Sequence, residues 1–289
     1  MLFAEYERCR YARPQLIEVI CQLRFPTILS IGTQEPAAFQ EAVRQDYPRY
    51  AARQDDFAKI PGAPVAYWVS ENIIQTYQNN PLMETFAPPK QGSTLGINDL
   101  FLRLWFEVSQ ISSKWVPCVK GGEFRRWYGN HYYLINWEDN GSAIKATGRA
   151  TIRNSDRLFT SGIHWSRITS GKSSFRRLYD NFFFESAAGV CFPPQKDINY
   201  ILGLLNTKIS TNYGSIINPT LTLQSGDVAT IPVIDSSRWR EKIELMVEYN
   251  IIISKTDWDS FETSWDFKRH PLVRGAATVA EAYAAWAAE

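Results

Sequence analysis

From Leu100 the apolar side chains first recur at every second position and the chain turns strand-rich as far as residue 184, and from residue 197 onward they return mostly at helical spacing. A change of period from 2 to 3.6 restricts the chain to an α+β architecture, in which strands and helices occupy separate stretches. Leu100, Leu102, Leu104, Phe106 and Val108 alternate with Phe101, Arg103, Trp105 and Glu107, which predicts a strand. Further strands are predicted over 131–137, 159–168 and 182–184, separated by Gly, Asn, Asp and Ser turns. Helical spacing predicts a helix over 197–213, a strand returns over 227–234, and Asp235-Ser236-Ser237 offers an N-cap for a helix over 238–253. An Ala-rich helix is predicted over 278–288. The predicted fold class is therefore α+β, a mixed or antiparallel sheet with flanking helices.

A shorter strand and helix precede this body. Ile17, Val19, Cys21, Leu23 and Phe25 share one face opposite Glu18, Gln22 and Arg24, the pattern of a half-buried strand. Pro36 opens a helix carrying Phe39, Ala42, Val43 and Tyr47 on one side, and Pro48 stops it. An apolar strand is predicted over 65–69, then a helix from Ser70 to Tyr77, with the Ser70 hydroxyl as its cap. Asn79-Asn80-Pro81 and Pro88-Pro89 mark 79–98 as a connection. The expected organisation is 1–56 as a strand–helix segment, 57–98 as a connecting segment, 99–235 as the main domain and 236–289 as a helical segment. No internal repeat is visible.

Charge is distributed unevenly although the formal total is only +1. Residues 90–180 hold 14 basic against 7 acidic side chains, while 181–289 hold 9 against 13. A local excess of one sign can steer a polyanion even when the molecule is nearly neutral. The basic stretch also carries Trp105, Trp115, Trp127, Tyr128, Tyr132, Tyr133, Trp137 and Trp165. Cations interleaved with aromatics suit phosphate contacts with base stacking; a solvated sheet surface over an aromatic core is the alternative. No run of 18 apolar residues occurs, so no membrane span is expected. The first residues lack a basic stretch followed by an apolar one, and Cys9, Cys21, Cys118 and Cys191 form no Cys-x-x-Cys. The expectation is a cytoplasmic chain with reduced thiols.

Familiar catalytic patterns fail. Gly171-Lys172-Ser173 lacks the upstream glycine of a phosphate-binding loop, since position 166 is Ser. His131, His164 and His270 show no metal-ligand spacing, and no Gly-x-Ser-x-Gly occurs. Glu138-Asp139 and Asp257-x-Asp259 read as surface turns or caps rather than acid–base pairs. An amino-methyltransferase uses Asn-Pro-Pro-aromatic to hold the target amine; here the two Asn-Pro sites are Asn218-Pro219-Thr220-Leu221 and Asn80-Pro81-Leu82. Neither has the second proline or the aromatic.

Longer strings carry more information. They are Lys59-Ile-Pro-Gly-Ala-Pro-Val-Ala-Tyr-Trp-Val-Ser70, Asn98-Asp-Leu-Phe-Leu-Arg-Leu-Trp105 and Lys120-Gly-Gly-Glu-Phe-Arg-Arg-Trp-Tyr-Gly-Asn130. Gly162-Ile-His-Trp-Ser-Arg-Ile-Thr-Ser-Gly-Lys172, Asn218-Pro-Thr-Leu221 with Gly226-Asp-Val228, and Asp257-Trp-Asp-Ser-Phe-Glu-Thr-Ser-Trp-Asp-Phe267 continue the series. Over about 57–289 the chain resembles the C-terminal part of PglX, the adenine-specific DNA methyltransferase family of BREX phage-exclusion systems. The resemblance implies a target-recognition region followed by helical segments. It also implies that the catalytic domain, with its S-adenosylmethionine site, precedes this region in the family and has no counterpart here. Tyr11-Ala-Arg-Pro-Gln-Leu-Ile-Glu-Val-Ile-Cys-Gln-Leu-Arg-Phe25, Glu35-Pro-Ala-Ala-Phe-Gln-Glu41 and Tyr47-Pro-Arg-Tyr50 are instead similar to the start of a sporadic bacterial family of unknown function. That second likeness suggests a fusion, a recombination product or a remnant.

The residues suited to a duplex are Lys120, Arg125, Arg126, Arg167, Lys172, Arg176 and Arg177. The first three flank Gly121-Gly122, where bare backbone could approach a phosphate, and the others surround a hairpin turn at Ser170-Gly171. Each of them could equally be a plain surface charge. Trp127, Tyr128 and Trp165 read as core residues, with base stacking as the alternative; Ser166 and Asn130 are further candidates. The stretch 257–265 reads as internal packing or as a surface for a partner. The expected function is a non-catalytic DNA-recognition fragment binding double-stranded DNA, with no cofactor of its own. The alternative is an interaction module docking on BREX subunits, with vestigial DNA contacts.

Overall fold

A computed structural model of the chain describes residues 27–31, 49–109, 112–168, 172–218, 220–273 and 275–288. The expected strand near 16–25, the helix from Pro36, the turn at Ser170-Gly171 and Pro219 lie outside them. The chain forms two compact units, Met1–Asn80 and Pro81–Glu289.

In the first unit, β1 (Thr27–Ile31) pairs antiparallel with β2 (Arg49–Arg53), Thr27 opposite Arg53 and Ile31 opposite Arg49. A single helical turn, Gln54–Phe57, follows, and then α1 (Glu71–Asn79), which buries Ile74 and Tyr77. The strand expected over 65–69 is a turn. Pro64 lends its carbonyl to the Ala66 N–H (2.8 Å) and Ala66 lends its own to Val69 (3.1 Å), so these groups close locally instead of entering a ladder. Ser70 does precede α1, but its hydroxyl makes no capping bond; its carbonyl accepts from Ile73 at 3.0 Å.

The second unit is built on two four-stranded sheets. Its strands are β3 (Lys90–Gln91), β4 (Leu102–Leu104), β5 (Trp115–Val119), β6 (Tyr133–Asn136), β7 (Gly162–Ser166), β8 (Phe175–Leu178), β9 (Phe183–Phe184) and β10 (Ala188–Cys191). One sheet runs β3-β10-β7-β8, antiparallel throughout; the other runs β4-β6-β5-β9, with β5 and β9 parallel. The class is α+β. Cys118, Val119 and Ile135 of the mixed sheet meet Leu178, Ala188 and Val190 of the antiparallel one in a shared core filled by Phe182, Phe183 and Phe184. Each such aliphatic or Phe side chain contributes about 1.5–3 kcal/mol by leaving water. Between the strands, α2 (Glu138–Ala146) begins with Asp139, Asn140 and Gly141 in left-handed backbone, so Glu138-Asp139 forms a turn.

Three sequence expectations change here. The alternation over 100–108 resolves into a helical turn (Asn98–Phe101), the short β4 and a 3-10 turn (Trp105–Glu107). The Glu107 carboxylate closes that last turn by accepting from the Leu104 N–H at 2.7 Å. The strand expected over 227–234 begins as a helical turn, Ser225–Ala229, because Asp227 accepts from the Gln224 N–H at 2.6 Å. The helix over 197–213 is two, α3 (Ile198–Leu205) and α4 (Lys208–Ile217). Asn206 leaves the helix between them to bond both the N–H and the carbonyl of Phe175, and Thr207 caps α4 through the Ser210 N–H.

The helix α5 (Arg240–Asp259) packs on α3, where Gly203 admits Ile243 and Val247. The last helix is α6 (Val279–Ala287), capped by Thr278. Among the described residues no helix is long and apolar enough to cross a membrane. Cys118 and Cys191 are buried free thiols, and burial pushes the Cys191 thiol up to about 12.

Candidate nucleic-acid interface

The connection from β5 to β6, residues 120–132, does not lie along its own sheet. It folds back onto β7 and β8 of the other sheet. Trp127 donates its N–H to the Phe175 carbonyl (2.9 Å) and accepts from the Arg177 N–H (2.9 Å). Ser166 Oγ donates to the Gly122 carbonyl at 2.8 Å, and Asn130 Nδ2 to the Glu123 carbonyl at 2.8 Å. Gly121, Gly122, Trp127, Gly129 and Asn130 all hold positive φ; for Trp127 (72°) and Asn130 (62°) this strain persists because so many bonds fix the loop. Gly129 is required, since a Cβ there would stand 2.9 Å from Arg125 and 3.0 Å from the Trp258 ring.

Arg176 sits beneath this loop with no exposed surface. Its guanidinium donates to the Arg125 carbonyl (2.9 Å), Ser174 Oγ (3.2 Å) and Ser166 Oγ (3.0 Å), while its Nε has no partner. Burial lowers its pKa to about 10, so it stays charged at neutral pH. Arg176 was expected among the exposed cations; it is instead an internal brace, because strand alternation turns its side chain inward. Arg177, next along β8, points to the opposite face. There it bonds Asn199 of α3 at 3.3 Å, away from the loop.

The remaining candidates divide. Lys120 lies over the Tyr133 ring at 5.1 Å, and Arg126 lies over Phe124 at 5.5 Å. Neither has a carboxylate within ion-pair distance among the described residues. Arg125 is engaged, paired with Asp257 at 2.9 Å and stacked 4.9 Å from Trp258. Arg167 holds Gln224 Oε1 (2.6 Å) and the Ser186 carbonyl (2.7 Å), and so joins the 222–224 strip to the end of β7. Lys172 is exposed. Gly121 is buried and faces the Ala187 carbonyl, so of the glycine pair only Gly122 offers bare backbone to solvent.

Tyr128 and Trp165 are core residues, 6 % and 0 % exposed. The stretch 257–265 packs internally. Trp258 is buried against Gly129 and Tyr132, and Trp265 stacks on His131 at 5.9 Å with a 14° interplanar angle. Phe261 alone of the three aromatics there is exposed. One cluster had no signal in the spacing: His131 and His164, buried with ring centroids 6.3 Å apart. None of their four ring nitrogens has a protein partner. Burial, then the nearby Arg176 charge, depresses both; His131 falls to about 3. Phe124 was likewise not singled out, although it is 52 % exposed at the loop tip.

The second unit is thus an α+β body whose 120–132 loop is braced from beneath by Arg176 and carries Lys120, Arg125 and Arg126. Most of the chain, some four-fifths, is homologous to adenine-specific methyltransferases. Adenine-specific methyltransferase BrxX of Escherichia coli O9:H4 (strain HS) is 37% identical over 244 residues, 81% of this chain and 20% of the relative. Adenine-specific methyltransferase PglX of Lacticaseibacillus casei (strain Zhang) is 32% identical over 262 residues, 83% of this chain and 21% of the relative. The chain thus spans about a fifth of the length of these curated relatives. No protein-family model matches it.

Proposed function

We propose that this chain is a non-catalytic DNA-recognition region of the adenine-methyltransferase kind, binding double-stranded DNA in a cytoplasmic BREX phage-defence setting. The observation that carries the reading is the 120–132 loop, locked from beneath by Arg176 while Lys120 and Arg126 remain without acidic partners. Preset cations lose little freedom on meeting phosphates, and each phosphate neutralised releases counterions. Lys120, Arg126 and Lys172 serve as phosphate contacts. Arg125 and Arg167 serve once their present partners are shared or exchanged, and Arg176 positions the loop. Arg177 belongs to the helix-covered face and drops out of the interface.

Methyl transfer is not assigned to this chain. Asn218, in the nearest approach to the amine-binding motif, has the Oδ1 that would accept from a target amine already accepting from the Thr220 N–H (3.1 Å), and its Nδ2 is held by the Thr222 carbonyl (3.0 Å) and Asp227 (2.9 Å). S-adenosylmethionine is accordingly assigned to the longer relatives. The test is retardation of a random-sequence duplex pool by the full chain at about 50 mM salt, with affinity falling steeply as salt rises. Absence of any retarded duplex at that salt removes the proposal.

A second reading has its own support. One side of α5 leaves Leu245, Met246, Tyr249, Ile252 and Ile253 exposed, between 48% and 65%. An apolar stripe of this kind suits a partner surface, here the intact methyltransferase of the BREX complex. Leu245→Asp with Tyr249→Asp abolishes co-purification with that enzyme on this reading and leaves duplex retardation unchanged.

A further inference from the structure

The loop tip holds one side chain that phosphate binding does not explain. Phe124 is 52 % exposed, whereas Phe175, Phe182, Phe183 and Phe184 are all 3 % exposed or less. It cannot fold inward, because the turn before it is fixed by Ser166 on the Gly122 carbonyl and by Asn130 on the Glu123 carbonyl, and the turn after it by Arg176 on the Arg125 carbonyl. The loop therefore keeps an apolar ring in water between Glu123, which is exposed, and the half-buried Arg125 and Arg126. Phosphates repel a carboxylate, so a tip carrying Glu123 beside Phe124 fits the floor of a groove better than its rim. The flanking Arg126 and Lys120 fit the rim. In the major groove the apolar partner for a phenyl ring is the thymine methyl group.

We infer that Phe124 is a specificity-determining residue, making apolar contact with the 5-methyl group of a thymine in the recognised duplex. This rests on the DNA-binding reading and adds the base-reading element to it. The experiment selects duplexes from a randomised pool with the full wild-type chain. Each thymine of the selected sequence is then replaced by deoxyuridine, which removes the methyl group alone. Wild type should lose about fourfold in affinity at one thymine, the worth of one buried methyl. Phe124→Ala should bind the selected duplex about tenfold more weakly, keep the wild-type salt slope and no longer respond to that deoxyuridine. Arg126→Ala should still respond to it while its salt slope falls by about one.

If wild type retains no duplex, the functional reading falls and this inference with it. If wild type selects a sequence but no deoxyuridine weakens it, or Phe124→Ala still responds to the substitution, the DNA reading stands and the assignment of Phe124 is overturned. A Phe124→Ala variant that loses affinity only through a lower salt slope also overturns it, since the ring would then serve merely to prop Arg126.

Discussion

Arg176 and the two histidines beside it form a buried polar group inside an otherwise apolar neighbourhood. The arginine bonds a carbonyl and two hydroxyls rather than an acid and leaves its Nε unpaired, and none of the imidazole nitrogens has a hydrogen-bond partner in the protein. Tyr128, Phe182 and Trp265 enclose His131, with Trp258 beyond, and Arg176 and Lys255 both oppose a further positive charge there. Tyr179 packs edge-on against Tyr128, and Lys255 is itself paired with Asp259 and Asp266. Both histidines are depressed in the folded state, so below the ordinary value of 6.5 the unfolded chain takes up protons that the folded chain refuses. Stability is then present above pH 6.5 and is lost as pH falls. The loss from His131 is about 1.4 kcal/mol per pH unit down towards its folded value of about 3, and His164 adds in the same direction. Urea melts between pH 7 and pH 5 measure it: His131→Leu flattens the dependence, and an unchanged slope in that variant would exclude the assignment.

At the scale of elements, the 120–132 loop is defined by its braces more than by its composition. Replacing Arg176 with Met keeps much of the volume and removes three charge-assisted bonds, so the amides of Trp127 and Arg177 should exchange about tenfold faster with solvent while β7 still pairs β10. Equal exchange in wild type and variant would show that the backbone alone holds the loop. How much of this was legible depended on the kind of signal. Strands β6 and β7 and helix α5 follow from periodicity, because each presents one face to a core. The arginine pair 176–177 could not be resolved from sequence: alternation says that one of two adjacent side chains turns inward, and both are arginine. Only the sheet pairing that sets His164 opposite Arg176 decides it. The stretch 100–108 misled for a related reason, since Glu107 draws the chain into a turn that alternation cannot register. His131 stands in the loop before β6 and His164 on β7, and they meet only in the fold.

Across the second unit, the last turn of α5 and the segment after it close the structure over the loop's root. Trp258 fills the space left by Gly129 and carries the Arg125 guanidinium on its face, while Trp105 Nε1 donates to the Thr263 carbonyl at 3.0 Å. Trp258→Ala should therefore lower stability by about 3–5 kcal/mol in chemical denaturation. A loss under about 1 kcal/mol would mean that this segment rests on the surface without supporting it. On the proposed reading the same closure links stability to DNA binding, since Arg125 and the loop root share the tryptophan. The homologous methyltransferases are some four times as long, and α5 exposes an apolar stripe, so on the proposed reading the surface for DNA and the surface for protein are separable. Hydrogen exchange of the full chain with and without a duplex selected from the random pool tests this division most directly. Slowed exchange at 120–130 and 165–168 with residues 240–253 of α5 unchanged is the predicted result; protection on that part of α5 with none in the loop would contradict it.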